Sequence, residues 1–216
     1  MIVDMRTYTL VPGKLGAFFD MYTRDGFERQ TGYLGQPVGF YVVDIGTQNR
    51  IVHFWQYEDI GDRQRRRAKM EADPKWIEYR AASAPFFQHM ENRICKPTPF
   101  FSSIKNNTTG PFPCIDMRVY TMQPGKLADY FKLYAAEGLE PQVKSLGACL
   151  GYYGSDIGEQ NQIVHLWGYK DIEDREKRRA AMFADPAWMK YLGSARPLFA
   201  HQTNVILKPA PFWSPT

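Results

Sequence analysis

A chain of 216 residues that is 44% hydrophobic, 15% aromatic and 23% charged has the profile of a globular protein, which excludes a disordered or fibrous one. Its 27 basic and 23 acidic residues leave a formal charge of +4 with the two signs interspersed, so the charge does not call for nucleic acid as a partner. Cys95, Cys114 and Cys149 lack CxxC or CxxH spacing, no signal-peptide pattern opens the chain and no apolar run is long enough to span a bilayer; a cytoplasmic chain with no membrane span and free thiols is expected.

Along the chain, residues 2–10 alternate apolar and polar side chains, the mark of a strand. Pro12-Gly13 supplies a turn into a helix over residues 14–31, with Leu15, Phe18, Phe19 and Tyr22 on one face. Residues 39–44 and 50–57 are short strands rich in β-branched and aromatic residues, joined by the turn Gly46-Thr47-Gln48-Asn49. Residues 59–82 read as helical with a break at Asp73-Pro74, because a proline ring cannot sit inside an unbroken helix. A strand over 89–95 precedes the Pro-punctuated tail that runs through Pro97, Pro99 and Phe100.

The pattern then starts again. Residues 4–102 align with 116–214 at a constant offset of 112, without a gap and with about half the positions identical. The expected organisation is a first repeat over 1–102, a linker over 103–113 where Asn, Thr, Gly and Pro cluster, and a second repeat over 114–216. Each repeat reads βαββαβ, an α+β unit of ferredoxin-like type with two helices on one face of a four-stranded antiparallel sheet. The uncovered faces of the two sheets are expected to meet in a dimeric α/β-barrel arrangement with the helices outside.

Candidate functional residues lie on single strand faces. Asp4, Arg6 and Tyr8 share one side of the first strand, and His53, Trp55 and Tyr57 share one side of the third; Asp116, Arg118, Tyr120, His165, Trp167 and Tyr169 repeat them. If the apolar faces pack on the helices, these sets line the space between the sheets, giving apolar walls with a few convergent polar groups. His53 and His165 suit proton transfer, and Arg6 and Arg118 suit an anionic or carbonyl oxygen, so these four are the catalytic candidates. Tyr8, Tyr120, Trp55, Trp167, Tyr57, Tyr169, Asp4 and Asp116 are the ligand-binding candidates. Arg6 with Asp4, and Arg118 with Asp116, read equally well as buried ion pairs. The run from Arg63 to Arg67, matched by Arg175 to Arg179, reads as a solvated helix face, with an anion-attracting rim at a cavity mouth as the alternative. No HExxH, P-loop, GxGxxG or RNP pattern is present, so neither a metal nor any other cofactor is assigned.

Three motifs in order carry a resemblance. Met5-Arg6-x-Tyr8-Thr9-x-x-Pro12-Gly13-Lys14-Leu15, then Asp44-Ile45-Gly46-x-Gln48-Asn49-x-Ile51-Val52-His53-x-Trp55-x-Tyr57, then Asp73-Pro74-x-Trp76 resemble the NIPSNAP family, and all three recur in the second repeat. That family resembles the dimeric α/β-barrel superfamily, whose members hold small molecules between paired sheets and act as cofactor-free monooxygenases, isomerases or dehydratases, or with haem. The resemblance implies a protein that binds a small apolar or aromatic metabolite in the inter-sheet cavity, with monooxygenase, isomerase or lyase chemistry and no nucleotide cofactor. Family members described as scaffolds imply the alternative of a non-catalytic interaction protein, and a haem or metal binder through His53 and His165 is a third reading. A homo-oligomer beyond the internal pairing is compatible with all three.

Overall fold

Alternation over residues 2–10 does build a strand, β1 (Ile2–Leu10), and it organises the first half of the molecule. The computed structural model describes residues 1–104 and 112–213; most of the linker expected over 103–113 lies outside them, and residues 101–104 form a short helix. Two compact units result, one of Met1–Cys95 with the chain from Pro209 on, the other of Lys96–Lys208.

In the first unit, β1 is followed by helix α1 (Leu15–Met21), a π-helical turn at Tyr22–Gly26 and helix α2 (Phe27–Leu34), a longer helical stretch than residues 14–31. Strands β2 (Gly39–Ile45) and β3 (Arg50–Tyr57) form the expected hairpin, its turn closed by Asn49 in the left-handed region at φ 55°. Helices α3 (Ile60–Glu71) and α4 (Pro74–Ser83) break at Asp73-Pro74 as the proline dictates, with Asp73 accepting from the Lys75 amide and Asp59 from that of Asp62. Strand β4 (Phe87–Pro97) completes the antiparallel order β4-β1-β3-β2.

The second unit holds α5 (Phe101–Ile104), β5 (Cys114–Met122), α6 (Leu127–Leu133), a π-helical turn at Tyr134–Gly138, α7 (Leu139–Leu146), β6 (Cys149–Ile157), β7 (Gln162–Tyr169), α8 (Ile172–Ala184), α9 (Pro186–Ala195) and β8 (Phe199–Pro209). Its sheet order is β8-β5-β7-β6. The fold class is α+β, and the full strand order, β1-β3-β2-β8-β5-β7-β6-β4, is that of a closed antiparallel barrel.

Two aromatic tails complete the cores. In the first unit Phe212 packs on Phe19, Tyr22, Phe27 and Phe40; in the second, Phe100 packs on Phe131, Tyr134 and Tyr152. The π-helical turns shape the same regions. A Cβ on Gly26 would stand 2.6 Å from Tyr22 Cδ2 and 2.8 Å from Tyr79 Cζ, so the bare backbone there lets Tyr79 of α4 approach the helix closely.

Candidate functional site

Strand register gathers the candidates into one row. Asp4 lies opposite Trp55 and Arg6 opposite His53 across β1 and β3, and Asp116 and Arg118 meet Trp167 and His165 in the same way across β5 and β7. The expectation that this row faces the space between sheets is overturned, because its side chains point at the helices of their own repeat. A fully buried carboxylate must have cationic partners, and α3 supplies one: Arg63 Nε donates to Asp4 Oδ2 at 2.8 Å. Arg6 Nη1 donates to the same oxygen at 3.1 Å, and Asn92 Nδ2 to Oδ1 at 3.3 Å. Asp116 has the same partners in Arg118, Arg175 and Asn204. The opposite face, with Val3, Met5, Val52 and Phe54 buried, is the apolar one.

The Arg6–Asp4 ion pair is therefore present, and so is its counterpart. Burial works against the Arg6 charge, but Tyr8 and Asp4 outweigh it and the pKa is raised. The arginine run is not simply a solvated face: Arg65 is exposed, whereas Arg63 reaches Asp4 and Arg66 binds Asp62 and the Leu34 carbonyl.

His53 is held on three sides. Its ring stacks on Phe40 at 4.7 Å and takes the edge of Tyr8 at 4.8 Å, while the Trp55 indole N–H donates to Nδ1 at 2.6 Å. Burial first, then the charges of Arg6 and Arg67, hold its pKa well below the ordinary 6.5, so the ring is neutral. A neutral imidazole whose Nδ1 accepts carries its proton on Nε2, and Nε2 is buried with no hydrogen-bond partner among the described residues. His165 repeats every feature, stacked on Tyr152 with Trp167 donating to Nδ1 at 2.7 Å. Such a ring is a hydrogen-bond donor. Iron or another metal would take it through a nitrogen lone pair, and with Nδ1 engaged and Nε2 protonated this donor set does not fit that role.

His53 opens on a cavity of about 240 Å³ between sheet and helices, and His165 on one of about 230 Å³. Of the candidates, Arg6, Tyr8 and His53 line the first, and Arg118, Tyr120 and His165 the second. Trp55, Tyr57 and Asp4, with Trp167, Tyr169 and Asp116, stand behind them and are not part of the lining. Trp55 and Trp167 act by fixing the histidine ring, Asp4 and Asp116 by anchoring the arginine.

Much of the wall comes from helix residues that strand alternation does not reveal: Tyr22, Gln30, Arg67, Trp76 and Tyr79 in the first cavity, matched by Tyr134, Gln142, Arg179, Trp188 and Tyr191 in the second. Their signal was identity between repeats. The Trp76 and Trp188 indole nitrogens are, like the histidine Nε2 atoms, buried without a partner among the described residues. Tyr22 and Tyr134 donate to the side-chain carbonyls of Gln30 and Gln142, holding those amides in place.

The NIPSNAP family model matches residues 3–102 and again 115–215. The chain belongs to the NIPSNAP family. A Dictyostelium discoideum protein NipSnap homolog is 24% identical over 192 residues, covering 88% of this chain and 78% of the relative. Among solved structures, a candidate monooxygenase from Fusobacterium nucleatum aligns over 97% of this chain and 92% of its own with a TM-score of 0.63 at 11% identity. An anthrone oxidase-like protein aligns over 96% and 90% with a TM-score of 0.63, also at 11% identity. At these identities the likeness is one of fold, and it places this NIPSNAP chain among α/β barrels. Among the described residues no helix is long and apolar enough to cross a membrane.

Proposed function

We propose that each repeat of this NIPSNAP chain binds a compact aromatic ligand in the cavity between sheet and helices, with its carbonyl or phenolic oxygen on the histidine Nε2–H. The buried, unpartnered Nε2 of His53 and its copy in His165 carry this reading. A buried donor left unpaired is costly, and an oxygen arriving from a ligand satisfies it. The aromatic walls match flat rings, and the volume suits a ligand of one or two rings.

Chemically, a neutral imidazole N–H in an aromatic-walled cavity stabilises negative charge as it develops on a carbonyl oxygen. The lowered pKa makes it an electrophile toward that oxygen instead of the base that a free histidine provides. The class of reaction this supports is proton transfer next to a carbonyl, through an enolate. Cofactor-free oxygenation begins from the same type of carbanion. The interaction-protein alternative calls for Arg6 paired to Asp4, which is present, and for a barrel interior filled by side chains; the cavities that favour the ligand reading lie instead between each sheet and its helices.

The test uses 2-naphthol for binding and 2-tetralone for chemistry. Calorimetry is expected to show 2-naphthol binding that weakens about tenfold in the double variant His53→Phe/His165→Phe, the loss expected for one hydrogen bond at each site. Exchange of the α-hydrogens of 2-tetralone in D2O, followed by NMR, should be accelerated by the wild type and not by the variant. Absence of both binding and exchange overturns the reading.

A further inference from the structure

The two cavities are built on one plan, yet aligned positions differ in charge. In the first, Arg67 Nη2 donates to Glu71 Oε1 at 3.1 Å, so this cation is neutralised within α3. The residue aligned with Glu71 is Phe183, and Arg179, aligned with Arg67, has no ion pair or hydrogen bond among the described residues. Its guanidinium lies 5.5 Å from the centre of the Phe183 ring, a weak exchange for a carboxylate. Burial first, and then the neighbouring Arg118, push the Arg179 pKa down, a sign of a cation without enough counter-charge.

Other lining positions change as well: Arg80 of the first cavity, exposed, is matched by Leu192, and Ala84 by the exposed Arg196 of the second. Phe18 and Phe40 of the first cavity become Tyr130 and Tyr152, whose hydroxyls hydrogen-bond each other beside His165. Among the described residues, Glu71 is the one carboxylate in the lining of the first cavity, and the lining of the second contains none. Asp116, the nearest carboxylate, is already bound by Arg118, Arg175 and Asn204 and stands behind the lining.

We propose that the second cavity is an anion site for an aromatic carboxylate, bound by the Arg179 fork and the His165 Nε2–H, while the first cavity takes the neutral ligand. This rests on the reading of both cavities as aromatic-ligand sites and adds charge selectivity to it. A guanidinium offers two parallel N–H donors in the plane of a carboxylate, and His165 supplies a third donor with no partner of its own. A half-buried cation without a counter-ion is completed by an anion. In the first cavity Glu71 already fills that place, so Arg67 has no charge left for a ligand carboxylate.

Calorimetry with 2-naphthoate and with 2-naphthol separates this proposal from the reading beneath it. The wild type is expected to take two 2-naphthol and one 2-naphthoate per chain. Phe183→Glu, at an exposed position, should lower 2-naphthoate affinity at least about tenfold relative to 2-naphthol by pairing Arg179 within the helix. Glu71→Phe should raise the 2-naphthoate stoichiometry to two. Naphthol binding accompanied by equal naphthoate stoichiometry in wild type and Glu71→Phe, or by unchanged relative affinity in Phe183→Glu, overturns the anion site and leaves the cavities as ligand sites. Failure of both probes to bind overturns the two together.

Discussion

The indole N–H of Trp55 donates to Nδ1 of His53 at 2.6 Å, with both side chains buried on one face of β3, and Trp167 does the same for His165. This two-residue spacing on a strand converts an ambivalent imidazole into a donor of fixed polarity. NMR of the imidazole nitrogens is expected to show the Nε2–H tautomer for both histidines. In Trp55→Phe the Nδ1 of His53 loses its donor, the tautomers mix, and stability falls by about 1–3 kcal/mol for the orphaned buried acceptor. An Nδ1–H tautomer in the wild type would exclude the donor role.

Neutral burial of two histidines sets a pH dependence. Both folded-state pKa values lie well below 6.5, so above that pH folded and unfolded chains are equally unprotonated at these rings and the histidines leave stability unaffected. Below it the unfolded chain takes up protons that the folded chain refuses, and stability falls as pH falls, by about 1.4 kcal/mol per pH unit for each histidine and about 2.7 for the pair. Asp62, Asp73 and Asp174 have pKa values lowered from 3.8, so their contributions are lost only in more acidic solution. Urea unfolding at pH 7.5, 6.5 and 5.5 should therefore show a steep loss across the last interval, flattened in His53→Gln/His165→Gln. A wild-type stability that holds constant down to pH 5.5 contradicts the neutral assignment.

Asp4 is the charge centre on which Arg6 and Arg63 both depend. Asp4→Asn keeps the shape but leaves two guanidinium groups half-buried beside an amide, and a loss of about 3–5 kcal/mol is expected from uncompensated buried charge. Arg65→Ala, two residues along α3 from Arg63 and exposed, should leave the unfolding midpoint where it is. Chemical denaturation of both variants checks the contrast; equal effects would mean that the buried network contributes nothing particular.

Alternation and the repeat were enough to read β1, the β2–β3 hairpin and the break at Asp73-Pro74, because each rests on local rules of side-chain direction or proline geometry. The direction of the Asp4–Arg6–Tyr8 face was not legible in the same way. Alternation says which residues share a face and not what covers it, and the deciding contact, Arg63 with Asp4, joins residues 59 apart in sequence. The same limit left open which arginine of each basic run reaches a cavity: a basic run on a helix is usually solvated, and only folding α3 and α8 over the sheet turns Arg67 and Arg179 to the cavities. The difference between Glu71 and Phe183 was visible in the alignment of the repeats, but it acquired meaning only with Arg67 and Arg179 beside it.

Gly26 gives the sharpest test of the link between backbone and cavity. A Cβ there would lie 2.6 Å from Tyr22 and 2.8 Å from Tyr79, both cavity residues, so Gly26→Ala forces one ring to move into the space or the helix to shift. Overpacking of this size costs about 1–3 kcal/mol, and 2-naphthol binding to the first cavity should weaken with it. At Gly16 in α1 an added methyl group would have nothing within 4 Å, and Gly16→Ala removes only backbone freedom, so it should raise stability by about 0.5–1 kcal/mol with binding intact. Thermal unfolding with calorimetry on the two variants distinguishes a steric effect on Tyr22 and Tyr79 from a general response to alanine. If Gly26→Ala is as stable as the wild type and binds 2-naphthol with the same stoichiometry of two, the π-helical turn is not what sets the cavity wall.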